Sequence, residues 1–162
     1  MSGRIILGID PGLNTTGFGV IAADGGSLKL LDAGTIRSKA SDPLTPRLTE
    51  LFQGLVQIID KYSPEVMGME KIYSHYRHPA TAIIMGHARG VLCLAAGLKG
   101  IRVESLPASR VKKAVTGNGR ASKQQVNGMV SRIFGIRGEL KPLDVSDALA
   151  VAIALYEAER YA

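Results

Sequence analysis

Three apolar runs follow one another within the first 37 residues, and the segments between them are too short to hold a helix. Residues 4–10 (RIILGID) are closed by Pro11-Gly12, residues 17–23 (GFGVIAA) by Asp24-Gly25-Gly26, and residues 28–37 (LKLLDAGTIR) complete the set. Pro-Gly and Gly-Gly are turn formers, proline by fixing φ and glycine by tolerating positive φ. Strand-like runs joined so tightly can only pair with their sequence neighbours, which predicts an antiparallel meander of three strands.

The pattern then changes. Apolar positions 48, 51, 52, 55, 58 and 59 have helical spacing, with Thr45 as the expected N-cap and Pro46 as the first helical residue. Residues 65–70 (EVMGME) and 101–105 read as short strands. Between them, residues 79–98 form a helix rich in small residues, able to pack closely on a sheet. Residues 107–115, 122–134 and 143–161 read as three further helices, with Thr116-Gly117-Asn118-Gly119 as a flexible turn between the first two. A meander followed by strands alternating with helices predicts an α/β architecture, a mixed five-stranded sheet flanked by helices. With no linker, repeat or low-complexity stretch, residues 1–162 are expected to form one domain.

Composition narrows the class. One cysteine, Cys93, excludes a disulfide-stapled fold, and its apolar setting predicts a core residue. No apolar run approaches the roughly 18 residues needed to span a bilayer, and no signal-peptide pattern opens the chain, so a soluble, cytoplasmic protein without membrane association is expected. The net charge of +6 is uneven: residues 99–141 hold ten basic residues and two acidic ones, while the remainder is slightly acidic. A basic segment on an acidic body points to a polyanionic partner, with nucleic acid first, although a solvated basic surface gives the same count.

Four acids stand out. Asp10 and Glu70 each end an apolar strand, and Asp144 and Asp147 lie three residues apart on one face at the start of the last helix. Functional groups of open α/β sheets gather at the carboxyl ends of strands, where the helix can bring its acids too. Four converging carboxylates repel, and divalent cations relieve that repulsion; oxygen ligands suit Mg2+ or Mn2+, and a two-metal site hydrolyses phosphodiesters. Each acid alone has a plainer reading, as a turn residue or as a partner of the helix dipole.

The stretches IILGIDPGLNTTGFGV, GME, MGHARGV, VKKAVTGNGRASKQQV and LDVSDALAVAIA, in that order, resemble the RuvC Holliday junction resolvases over nearly the whole chain. The resemblance implies an RNase H-like fold and a homodimer. It implies a structure-specific endonuclease that resolves four-way junction DNA by symmetric, metal-dependent hydrolysis in recombination and repair, alongside a RuvAB-type branch-migration complex. By position it assigns Asp10, Glu70, Asp144 and Asp147 to the metal, with two Mg2+ ions per site and Mn2+ able to substitute. It assigns Lys112 and Lys123 to catalysis and DNA binding, Tyr73 to base stacking, with Tyr76 as a second candidate for the wedge, and places Arg89 within a DNA-facing stretch. Arg110, Lys113 and Arg120 are expected backbone contacts. Three departures stand out: His87 replaces the family's usual glutamine, the segment after Glu70 is one residue longer, and Asp144 stands where some members carry histidine. His75 and His78 lack the companions a zinc site needs and read as loop residues.

Two other readings are compatible with parts of the chain. An ATP-binding domain of the actin and sugar-kinase type also opens with a strand, an acid and a glycine turn, but normally uses two such domains. A non-catalytic junction-binding protein would keep the fold and the basic segment.

Overall fold

The computed structural model describes residues 3–72 and 78–162. The elements run β1 (Arg4–Asp10), β2 (Thr15–Asp24), β3 (Ser27–Arg37), α1 (Leu44–Tyr62), β4 (Val66–Glu70), α2 (Pro79–Leu98), β5 (Arg102–Leu106), α3 (Ala108–Thr116), α4 (Lys123–Ile133) and α5 (Leu143–Arg160). Among the described residues the sheet has five strands in the order β3-β2-β1-β4-β5. β1, β2 and β3 pair antiparallel, and β4 runs parallel to both β1 and β5. The mixed sheet and its meander match the sequence expectation.

Strand alternation sorts each residue to one face. Leu7, Ile9, Phe18, Val20, Met67 and Met69 pack with buried residues of α1 and α2, such as Leu51, Leu55, Ala88 and Leu92. Ile6, Ile21, Val66 and Leu106 face the other way, onto a core of α3, α4 and α5 residues. On this second face the intervening strand positions are glycines, and α5 comes down onto them. A Cβ built at Gly8 would lie 2.0 Å from the carbonyl oxygen of Ala148 and 2.7 Å from the amide nitrogen of Ala152. One at Gly17 would lie 2.1 Å from the carbonyl oxygen of Asp144, and one at Gly19 would meet the side chain of Leu149 at 2.5 Å. No side chain fits there. In return α5 is buried nearly continuously from Val145 to Leu155, Asp147 excepted. Each fully buried leucine on it contributes on the order of 1.5–3 kcal/mol.

Several local expectations shift. α1 begins at Leu44 with Pro43 as N-cap and no side-chain cap. Thr45 is already helical, its carbonyl accepting from the Thr49 hydroxyl at 2.9 Å. Pro46 is accommodated because the first-turn amides have no intrahelical acceptor to lose. α4 carries a capping box, with Ser122 accepting from the Gln125 amide and the Gln125 side chain accepting from the Ser122 amide. The turn expected to be flexible is hydrogen-bonded: the Asn118 amide donates to Thr116 Oγ1 (3.1 Å) and the Arg120 amide to Asn118 Oδ1 (2.9 Å). Gly117, at φ 79°, closes α3 in the left-handed conformation that favours glycine.

Cys93 is half-buried at the margin of the α1–α2 core rather than inside it. α2 also corrects the expectation about membrane spans. Its 20 residues are long and apolar enough by composition to cross a bilayer, with a mean hydropathy of 1.5 over 18 residues. One face packs on the sheet through Ala88, Leu92, Ala95 and Ala96. The opposite face exposes Ile83, Leu94 and Leu98 at 62%, 55% and 68%.

The glycine floor yields a direct prediction. Gly8→Ala should cost about 1–3 kcal/mol or more, because the methyl group meets backbone that cannot step aside. For a chain of this size that lowers the Tm by about 2–4 °C per kcal/mol. Gly128→Ala, at an exposed position of α4 where a Cβ meets nothing, should cost nothing or stabilise slightly, and a thermal melt of each variant checks the contrast.

Candidate active site

β1 and β4 are parallel neighbours in register, with Ile9 opposite Met69, so the residues one step further along, Asp10 and Glu70, end their strands side by side. Alternation puts both on the α5 face, in line with Gly8 and Gly68. The contact of Gly17 with Asp144 seats the first turn of α5 beside the same strand ends. Asp144 and Asp147 therefore join Asp10 and Glu70 in one cleft of about 440 Å³, which Lys112 of α3 and Lys123 of α4 also line. Six sequence-assigned residues from five elements meet at this one place.

Electrostatics bear out the crowding. The Asp10 carboxyl is pushed up to about 8, first by burial, then by the charge of Asp147, a hydrogen bond with Asp144, and the charges of Asp144 and Glu70. Burial and the charge of Asp147 also raise Glu70, against the pull of Lys112 and Lys123. Asp147 is raised by burial, with Lys123 opposing. Lys123 Nζ lies 3.8 Å from Asp147 Oδ2, and its side chain is 74% exposed. That pair is weak, and Lys123 keeps most of its charge for the cleft mouth.

The donor set fits a hard divalent cation. All four acids are oxygen donors, they face one another, and their mutual repulsion is the energy a cation would release. Among the described residues no three acidic, histidine or cysteine side chains are already grouped as a bound metal ion would need them. Water and substrate oxygens would complete the shell of an ion held there.

The remaining assignments divide. Arg110 and Lys113 lie on another face of α3 from Lys112 and line a separate groove with Glu157 and Tyr161 near the end of α5. Arg120 is exposed beyond the α3–α4 turn. Arg89 turns inward, Nη1 donating to the Glu70 carbonyl oxygen (2.6 Å) and Nη2 to Ser105 Oγ (2.7 Å). Within the basic segment, Lys99, Arg102 and Lys141 are engaged with Asp60, with Glu104 and Glu159, and with Glu139. Tyr73, Tyr76 and His75 lie outside the described residues, and His78 is the N-cap of α2.

Sequence reasoning does not reach Thr15, which lines the cleft with Gly12. Its signal is its place immediately after the turn that follows Asp10. The turn is clamped by the buried Thr16, whose hydroxyl donates to the Gly12 carbonyl (2.7 Å) and accepts from the Gly12 amide (3.2 Å).

A five-stranded mixed sheet with four carboxylates and two lysines gathered at adjoining strand ends has the architecture of the RNase H-like class. The family model described as "Crossover junction endodeoxyribonuclease RuvC" matches residues 6–155, and the chain belongs to the RuvC family. A crossover junction endodeoxyribonuclease RuvC of Rhodopirellula baltica is 47% identical over 152 residues, covering 94% of this chain and 85% of the relative. Another, of Desulforamulus reducens, is 44% identical over 149 residues, covering 92% and 91%. The structure of T. thermophilus RuvC in complex with a Holliday junction substrate superposes with a TM-score of 0.92 at 29% identity, covering 98% of this chain and 96% of that one.

The raised Asp10 carboxyl has a consequence for stability without metal. A carboxyl raised in the fold stabilises fully below its unfolded value of 3.8, and that contribution is lost as pH rises through about 8. In chelator at pH 8, Asp10→Asn should therefore raise the Tm by ~2 °C or more. Millimolar Mg2+ should stabilise the wild type at pH 8 and do little for the variant. Thermal melts at pH 5 and pH 8, with and without Mg2+, check both signs.

Proposed function

We propose that this chain resolves four-way DNA junctions by Mg2+-dependent hydrolysis, as a homodimer that nicks two like strands symmetrically. The observation that carries it is the meeting of Asp10, Glu70, Asp144, Asp147, Lys112 and Lys123 in one cleft, in a chain that the RuvC model matches from end to end of that constellation. It is a junction-resolving endonuclease of recombination and repair; the ATP-binding and non-catalytic readings are not favoured.

Asp10, Glu70, Asp144 and Asp147 would hold the metal, two Mg2+ ions with Mn2+ able to substitute. Bound there, such a pair activates water and stabilises the leaving oxygen. The protein's own side chains do the rest. Lys123, projecting at the cleft mouth, neutralises the incoming phosphate, and Lys112 of α3 holds the strand in line. Tyr73, Arg110, Lys113 and Arg120 are proposed to extend the DNA contact beyond the cleft, without a part in the chemistry.

The exposed apolar face of α2 supports the homodimer, since Ile83, Leu94 and Leu98 gain only by being covered. A RuvAB-type motor as partner and a cytoplasmic location follow from the activity proposed.

A synthetic four-way junction, incubated in Mg2+ or in chelator, tests the reading. Binding is expected in both, with paired nicks only in Mg2+. Asp147→Asn should lower cleavage by at least about 100-fold while leaving junction affinity intact, because the acid holds metal rather than DNA. Absence of nicking in Mg2+ and Mn2+ on several junction sequences would overturn it. Leu94→Glu combined with Leu98→Glu should give a monomer by light scattering, and that monomer should lose the pairing of the two nicks.

A further inference from the structure

Arg89 stands on the side of Glu70 away from the cleft, and its guanidinium is already committed. Nη1 donates to the backbone carbonyl of Glu70 at 2.6 Å and Nη2 donates to the Ser105 hydroxyl at 2.7 Å. The two acceptors belong to neighbouring parallel strands, β4 and β5, whose register sets Met69 opposite Ser105 and Glu70 opposite Leu106. The fork therefore clamps the last residues of the two strands together.

Glu70 needs such a clamp. Pairing of β4 with β1 ends at Ile9 and Met69, one residue short of it. Beyond that point the chain is held by β5, through the Lys71 amide on the Leu106 carbonyl at 2.8 Å. Glu70 also shares one cleft with Asp10, Asp144 and Asp147, and like charges gathered there repel. Unrestrained, the end of β4 would relax by carrying the carboxylate away from its neighbours. The planar guanidinium resists this with two donors in fixed relative geometry, which an ammonium cannot reproduce. It reaches the site from α2, whose Ala88 and Leu92, on either side of Arg89, are fully buried.

We propose that Arg89 is a positioning residue for Glu70: it fixes the terminal peptide of β4, and so sets the carboxylate where a divalent cation needs it, instead of contacting DNA. This rests on the reading of the carboxylate cleft as a metal site. Groups that orient a ligand in this way commonly contribute 10–100-fold to metal affinity.

The test uses the full-length protein and Mn2+ alone, titrated by electron paramagnetic resonance without DNA. Junction binding is measured separately in chelator. Arg89→Met and Arg89→Lys should each weaken Mn2+ binding about tenfold or more, with four-way junction affinity in chelator unchanged within twofold. The half-saturating Mg2+ concentration for cleavage should rise in step. The lysine variant should not rescue, since it restores charge without the fork. Ser105→Ala, which leaves Glu70 its own hydrogen bond, should shift Mn2+ affinity in the same direction by a smaller factor, and it decides the matter if an Arg89 variant fails to fold.

Mn2+ affinity that is unchanged in the variants overturns the proposal. So does a loss of junction affinity in chelator with a salt slope reduced by about one, which is the signature of a phosphate contact. Wild-type protein that binds no Mn2+ fails the metal reading itself, whereas wild-type binding with indifferent variants fails Arg89 alone.

Discussion

The close seating of α5 on the glycine rows of β1, β2 and β4 is the constraint on which the rest of the structure depends. A helix normally stands off a sheet by the length of two side chains. Here Gly8, Gly17 and Gly19 remove one of those layers, and α5 lies where their Cβ atoms would be, with its backbone at Gly8 and Gly17 and the Leu149 side chain at Gly19. Two things follow from one contact. The core of the α3–α5 face closes around a helix buried along most of its length. The first turn of that helix is also fixed laterally against β2, which determines where Asp144 and Asp147 sit. Fold stability and site geometry thus rest on the same interface, and a methyl group at Gly8 or Gly17 disturbs both.

The site that results is electrostatically costly, and the surrounding structure is organised to hold it. Asp10 takes the largest penalty because it is the most enclosed and faces the other three acids. The lysines are placed to moderate this rather than cancel it: Lys123 is too exposed and too distant from Asp147 to neutralise the cluster. The mutual repulsion of the four carboxylates is the energy a bound cation would release. At the other end of the sheet, Glu159 of α5 receives Arg4 of β1 and Arg102 of β5, so the helix is fastened by charge at its far end as well.

The uneven net charge acquires a different meaning in three dimensions. The segment 99–141 holds the chain's basic excess, yet the fold spends much of it locally. Lys99, Arg102 and Lys141 are paired with acids, and Arg110 and Lys113 look onto another groove. Only Lys112 and Lys123 among them line the acidic cleft. A linear charge count sees a basic stretch; the structure resolves it into two cations that line the cleft, a remote patch, surface ion pairs and three further exposed arginines, Arg120, Arg132 and Arg137.

The amino-acid sequence by itself determined the architecture and singled out the six residues that share the cleft. Tight turns forced the meander, periodicity placed the helices, and acids ending apolar strands marked Asp10 and Glu70. These signals are local, because turn chemistry and alternation act over a few residues. The start of α1 was not legible, since Pro43 stops the helix by backbone geometry while Thr45 only looks like a cap. What the tertiary structure alone decided was distance and direction: how closely α5 meets the glycines, which way Lys112 and Lys113 part on one helix, and that Arg89 turns back onto the Glu70 carbonyl. Each depends on residues far apart in the chain being packed against one another, and a contact between distant segments leaves no periodic trace in either of them.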